Sequence, residues 1–165
     1  MKKWLMGVTL MLVAVLCGCN GELYEVVGDV STIEPDITPQ KVRFEVPKDE
    51  NITVMNTDNG VLYLGENYDI SLQICPSGNL DQTMRAVTGY SRKQLAITEL
   101  SEKNVDRYVC AWSAVSDEGE LVGRCTILDD GRFHYCLTVL VKADMAGELR
   151  NTVDAVFADY SLAAY

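Results

Sequence analysis

Three runs in the second half of this chain constrain the fold most. Residues 107–115, 120–128 and 132–141 are each long enough for a strand and rich in Val, Leu, Ile, Tyr and Cys. They are separated by Asp117-Glu118-Gly119 and Asp129-Asp130-Gly131, in which an acidic residue meets a glycine. Asp-Gly steps tolerate the positive φ of tight hairpin turns, so the pattern predicts a three-stranded antiparallel meander. Its last strand, Tyr135 to Val141, is apolar on both faces, which requires a packed layer on each side of the sheet.

The flanking segments supply those layers. Lys41 to Val46 alternates, with Val42, Phe44 and Val46 on one face, and predicts a half-buried strand ended by Pro47. Residues 52–55, 61–64 and 68–75 read as further strands, with a type I′ hairpin at Asp58-Asn59-Gly60. Leu80, Met84 and Val87 recur at helical spacing, so a short helix is expected from Asn79 to Thr88, with Asn79 as cap and Gly89 as stop. Ser91 caps a brief turn through Leu95, and residues 96–104 are ambiguous between strand and loop. A longer helix is expected from Ala143 to Tyr160, capped by Asp144, with Met145, Leu149, Val153, Val156, Phe157 and Tyr160 as its apolar stripe.

The other end of the chain reads as an address. Lys2 and Lys3 precede Trp4 to Leu16, 13 residues without a charge. This is the layout of a secretory signal peptide, and it is too short to span ~30 Å of hydrocarbon, which takes about 20 apolar residues. The run ends in Leu16-Cys17-Gly18-Cys19, which resembles the lipobox of bacterial lipoprotein signal peptides at all four positions. That resemblance implies cleavage after Gly18 and a thioether-linked diacylglycerol on Cys19, the lipidation site. Acyl chains contribute roughly 0.8 kcal/mol per buried CH₂, so two or three of them anchor a protein firmly. The expected location is the extracytoplasmic face of the cell membrane. Residues 19–40, with Pro35, Pro39 and five acidic residues, read as an acidic tether. The domain then occupies residues 41–165.

Loss of residues 1–18 takes Lys2 and Lys3 from the 14 basic residues and none of the 24 acidic ones, leaving a net charge of −12. Nucleic acid is an unsuitable partner for such a chain, because it calls for clustered Lys and Arg. Setting Cys17 and Cys19 aside leaves four of the six cysteines: Cys75, Cys110, Cys125 and Cys136. Disulfides form in exported proteins, and four cysteines allow three pairings. If Asp130-Gly131 form the centre of a two-residue turn, Cys125 falls opposite Cys136, with Cys110 on the next strand. A Cys125–Cys136 disulfide, or alternatively Cys110–Cys125, is then within reach. Small buried free thiols are the preferred reading, since strand-to-strand disulfides need special geometry.

Candidate chemistry is sparse. His134 is the one histidine, and Cys136 shares its face two residues on. Together they give a nucleophile and base pair on paper, but both fall in mid-strand, where neighbours should cover them. The carboxylates Asp117, Glu118, Glu120, Asp129 and Asp130 gather at the turns and offer a cation or solute site as an alternative. Turn chemistry accounts for them more simply, and the ligand series of a calcium loop does not continue past Asp130. No phosphate-cradling glycine loop or serine-nucleophile elbow occurs. No catalytic residue, metal ligand or cofactor is expected.

The order of elements, with Trp112-Ser113-Ala114, the strand from Gly131 to Val139, the closing Phe157-Ala158-Asp159-Tyr160-Ser161-Leu162 and the opening Val42-Arg43-Phe44-Glu45-Val46-Pro47, resembles the PsbP-like and DcrB-like α/β sandwich domains. The resemblance covers roughly residues 41–162. It implies an α+β fold in which helices flank an antiparallel sheet. It also implies an accessory or envelope role, with an envelope protein as partner, rather than a defined catalysis. No site of those families maps onto this sequence, and fold alone does not give function.

Overall fold

The computed structural model describes residues 38–48, 51–102, 104–117 and 119–163. The signal segment with Cys17 and Cys19, residues 19–37 of the tether, and Glu118 lie outside the described residues. The chain divides after residue 38, and the fold below is that of the unit beginning at Pro39.

The strands are β1 (Val42–Arg43), β2 (Thr53–Thr57), β3 (Gly60–Leu64), β4 (Tyr68–Pro76), β5 (Ala96–Glu102), β6 (Val105–Ser116), β7 (Gly119–Asp129), β8 (Phe133–Lys142) and β9 (Ser161–Leu162). The helices are α1 (Leu80–Thr88) and α2 (Arg150–Ala158). Seven strands form one antiparallel sheet in the order β2-β3-β4-β8-β7-β6-β5, while β1 and β9 pair as a separate two-stranded ribbon. The meander read from the sequence is β6-β7-β8, and β4 docks on its open side along β8.

Strand β8 sits at the centre and is buried on both faces. Tyr135, Leu137, Val139 and Val141 point to one side, where they meet Ile70, Leu72 and Leu128 and are covered by Val156, Phe157 and Tyr160. His134 and Cys136 point to the other, where Cys110, Cys125, Ile127 and Tyr108 form a second cluster under Met84 of α1. The period-2 geometry of a strand makes this division, since successive side chains leave opposite faces. The connection from β4 to the far edge strand β5 runs through α1, and this is what carries the helix across the sheet. Helix α1 is bounded as its sequence requires: the Asn79 Oδ1 accepts from the backbone N of Asp81 (3.0 Å) and Gln82 (3.4 Å), and Gly89 ends it at φ 80°.

Several expectations change. The chain from Ala143 to Tyr160 is not one helix capped by Asp144. Ala143–Met145 is a 3₁₀ turn, and α2 begins only at Arg150 behind Leu149, which makes no side-chain cap. The apolar stripe nevertheless holds, with Met145, Leu149 and Val153 packed beside the buried Val156, Phe157 and Tyr160. The stripe records which side meets the sheet, and a 3₁₀ turn keeps that side as well as an α-turn does. Lys41 to Val46 keeps its alternation of exposure, but pairs as a strand only over Val42–Arg43. The 58–60 hairpin forms, with Thr57 opposite Gly60, but not as type I′, since Asn104 is the single non-glycine at positive φ among the described residues. The ambiguous stretch after Leu95 is the exposed edge strand β5.

The β7–β8 register also differs. Asp129 faces His134, so the turn centres on Gly131 and Arg132, and Gly131 takes the positive φ (82°). The pairing is therefore displaced by two residues. Cys125 faces Thr138, not Cys136, and its direct partner on the other side is Cys110 of β6. The Asp130 side chain explains the choice: its Oδ1 accepts from the backbone N of Arg132 (2.9 Å) and Phe133 (2.8 Å), which fixes the chain reversal one residue later than the Asp-Gly step alone implies.

Candidate functional site

The polar cluster with chemical potential lies where the start of β8 crosses the end of β4. Register places Cys75 directly opposite His134, and Asp129 opposite His134 on the other side. These three residues share one face with Cys136, two residues along β8. Helix α1 closes the cluster from above with Thr83, and the β4–α1 connection adds Ser77.

His134 is fully buried, and both ring nitrogens are occupied. Nδ1 lies 2.8 Å from the Thr83 Oγ1, and Nε2 lies 3.2 Å from the Asp129 Oδ2 and 3.4 Å from the Ser77 Oγ. Asp129 is itself held, since its Oδ1 accepts from the Ser77 hydroxyl (3.1 Å) and from the Gly131 backbone N (2.8 Å). A buried imidazole satisfied in this way has a fixed ring orientation. Cys75, in contrast, is only half-buried. Its thiol lies 3.8 Å from the His134 carbonyl oxygen, to which it can donate.

The electrostatics separate the two thiols of the cluster. The hydrogen bond from Cys136 and the adjacent His134 side chain outweigh burial and bring Cys75 down from 9.0 to about 5. Cys136, hydrogen-bonded to Cys75 and fully buried, is held well above the usual thiol value. His134 is raised, chiefly by its contact with Cys75, with Asp129 adding to the effect against desolvation. The arrangement sets a half-buried thiol with a lowered pKa beside an imidazole with a raised one, with a carboxylate behind and a second thiol on the same face. This is the logic by which enzymes and redox proteins activate a cysteine.

The pair singled out in the sequence, His134 with Cys136, thus comes together on one face, but neither is exposed to solvent. The accessible thiol is Cys75, which sequence reasoning did not bring to His134. Only the β4–β8 pairing joins them, across 59 positions of chain. The other two cysteines form a second contact. Cys110 and Cys125 face each other across β6 and β7, and the Cys110 thiol together with burial holds Cys125 well above its usual value. All four are free thiols in this structure.

The turn carboxylates are otherwise engaged. The Asp130 Oδ2 accepts from the Tyr135 hydroxyl (3.0 Å) and from the Gln40 side-chain amide (2.9 Å), and the Tyr135 hydroxyl accepts in turn from the Gln40 backbone N (2.9 Å). Gln40, at the end of the expected tether, is therefore part of the domain. Among the described residues no cluster of three or more His, Cys, Asp or Glu has metal-holding geometry. Two surface cavities, of about 410 Å³ beside Glu45, Tyr68 and Leu149 and about 700 Å³ beside Gln40, Arg107 and Leu162, are lined without Cys75 or His134.

No family model matches the chain, and no curated protein matches it. Among solved structures, the chain is similar to cyanobacterial PsbP (CyanoP) from Synechocystis sp. PCC 6803, with a TM-score of 0.53 at 8% identity, over 83% of this chain and 99% of that one. The fold is PsbP-like. Weaker likenesses are to LpqN of Mycobacterium tuberculosis, described as involved in cell envelope biogenesis (TM-score 0.48, 8% identity, 77% of this chain and 87% of that one), and to a chain from Bacteroides thetaiotaomicron VPI-5482 (TM-score 0.48, 9% identity, 74% and 45%). At such identities the likeness extends to the fold and no further.

Proposed function

We propose that this chain is an exported lipoprotein, held at the extracytoplasmic face of the membrane through a diacylglycerol on Cys19. Its PsbP-like domain binds or supports another component of the cell envelope without turning over a substrate. The observation that carries the reading is Leu16-Cys17-Gly18-Cys19 behind a charged start and an uncharged run of 13 residues. The burial of His134 and Cys136 speaks against that pair as a nucleophile and base open directly to solvent. The acidic surface is compatible with a cationic partner and opposes nucleic acid.

Expression of the full chain and its Cys19→Ala variant in a bacterial host, with radiolabelled fatty acid, tests the anchor. The wild type is expected to take up label and sediment with membranes, and the variant to lose both. Retention of label and membrane association by Cys19→Ala would sink the proposal.

A further inference from the structure

The four thiols of the domain lie on a single face of the sheet, on adjacent strands β4, β8, β7 and β6, beneath α1. They are not equivalent. Cys110, Cys125 and Cys136 are buried, while Cys75 stands near the end of β4, half-buried and followed by the exposed Pro76 and Gly78. Cys75 faces His134, and Cys136 is the diagonal neighbour of Cys75 on the same face. The two thiols are therefore near neighbours on that face. One accessible thiol, a second thiol directly behind it, and an imidazole fixed by Asp129, Ser77 and Thr83 make up the layout of a dithiol that reacts in sequence.

We infer that Cys75 and Cys136 form a thiol–disulfide exchange site, with Cys75 as the attacking thiol, Cys136 as the resolving thiol, and a small-molecule disulfide as the oxidant. In the first step the Cys75 thiolate attacks one sulfur of the disulfide. A Cys75–S–S–R bond forms, the oxidant's S–S bond breaks, and the second half leaves as a thiolate. In the second step the Cys136 sulfur attacks the Cys75 sulfur. The Cys75–Cys136 bond forms, the remaining half departs, and the Cys136 proton passes to it. The two thiols of the protein are oxidised by two electrons and the small disulfide is reduced by the same two. Closing the bond draws the end of β4 toward β8. Cys75 is the penultimate residue of β4, where the ladder to β8 ends.

His134 is a positioning residue. It stabilises the attacking thiolate and is itself held away from solvent. A small disulfide is favoured over a protein one because Cys75 is partly covered, standing opposite His134 of β8 and just before the β4–α1 connection.

The test uses the full chain purified from membranes, reduced, and exposed to oxidised glutathione, followed by peptide mapping under acid quench. The expected product is a Cys75–Cys136 disulfide. Cys136→Ser is expected to stop at the first step and accumulate glutathione on Cys75. Cys75→Ser is expected to lose at least about tenfold in the rate of oxidation. His134→Gln is expected to slow adduct formation on Cys75 in the Cys136→Ser background. Mapping of the wild type that finds Cys110–Cys125 alone, or a Cys136→Ser protein that carries no adduct on Cys75, overturns the proposal. The wild-type map decides the matter even if a variant fails to fold.

Discussion

The contrast between Cys75 and Cys136 is set at the level of single residues. Both are thiols on one sheet face, yet one is driven toward the thiolate and the other held as a donor, because only one charge is stable in so small a volume. The consequence for stability has a definite sign. Cys75 has its pKa lowered to about 5 in the fold, so its contribution is fully present above the ordinary thiol value and is lost as pH falls through about 5. His134 is shifted the other way. Its contribution is present below the ordinary histidine value and is lost as pH rises through its raised one. The ionisable groups around Cys75 are His134 and Cys136 from β8 and Asp129 from β7. Helix α1 presents the uncharged Thr83, and its Asp81–Arg85 pair lies at the surface. Melting temperature measured against pH should therefore fall more steeply in the wild type than in Cys75→Ser as pH is lowered from about 9 to about 5. Parallel curves for the two proteins would refute the assignment of the thiolate to Cys75.

Among the elements, α1 packs on the sheet through Met84, with Leu80 and Val87 beside it. Met84 is fully buried and reaches the floor formed by Cys110, Cys125, Ile127 and Cys136. Met84→Ala should cost roughly 2–5 kcal/mol in denaturant unfolding and loosen the cover over the thiols. A loss below about 0.5 kcal/mol, the level of an ordinary surface change, would show that α1 is not held in this way. Element types were largely legible in the sequence. The meander, the Asn79 cap with its Gly89 stop, and the stripe from Met145 to Tyr160 all rest on local chemistry, which a sequence displays directly. Register and long-range pairing were not. The slip at Gly131 comes from the Asp130 carboxylate bonding two backbone amides, an effect that competes with the simpler Asp-Gly signal. Strand β9 is two residues long and exists only because β1 is there to pair with it. Edge strand β5 has no buried face to produce an alternation.

At the scale of the whole molecule, the doubly apolar strand Tyr135 to Val141 proved the most informative segment. It required cover on both faces, and the structure supplies α1 on one side and α2 with the β1–β9 ribbon on the other. The candidate site was half legible for the same reason. His134 and Cys136 share a strand, so their common face follows from spacing, whereas Cys75, Ser77 and Thr83 reach them only through the β4–β8 pairing. The proposed anchor on Cys19 governs where the molecule is held. It is tested most directly by mass analysis of the N-terminal peptide of the chain recovered from host membranes. A mature chain beginning at diacylglyceryl-modified Cys19 is the predicted result. A chain that begins at Met1, or one cleaved elsewhere with an unmodified Cys19, would contradict it.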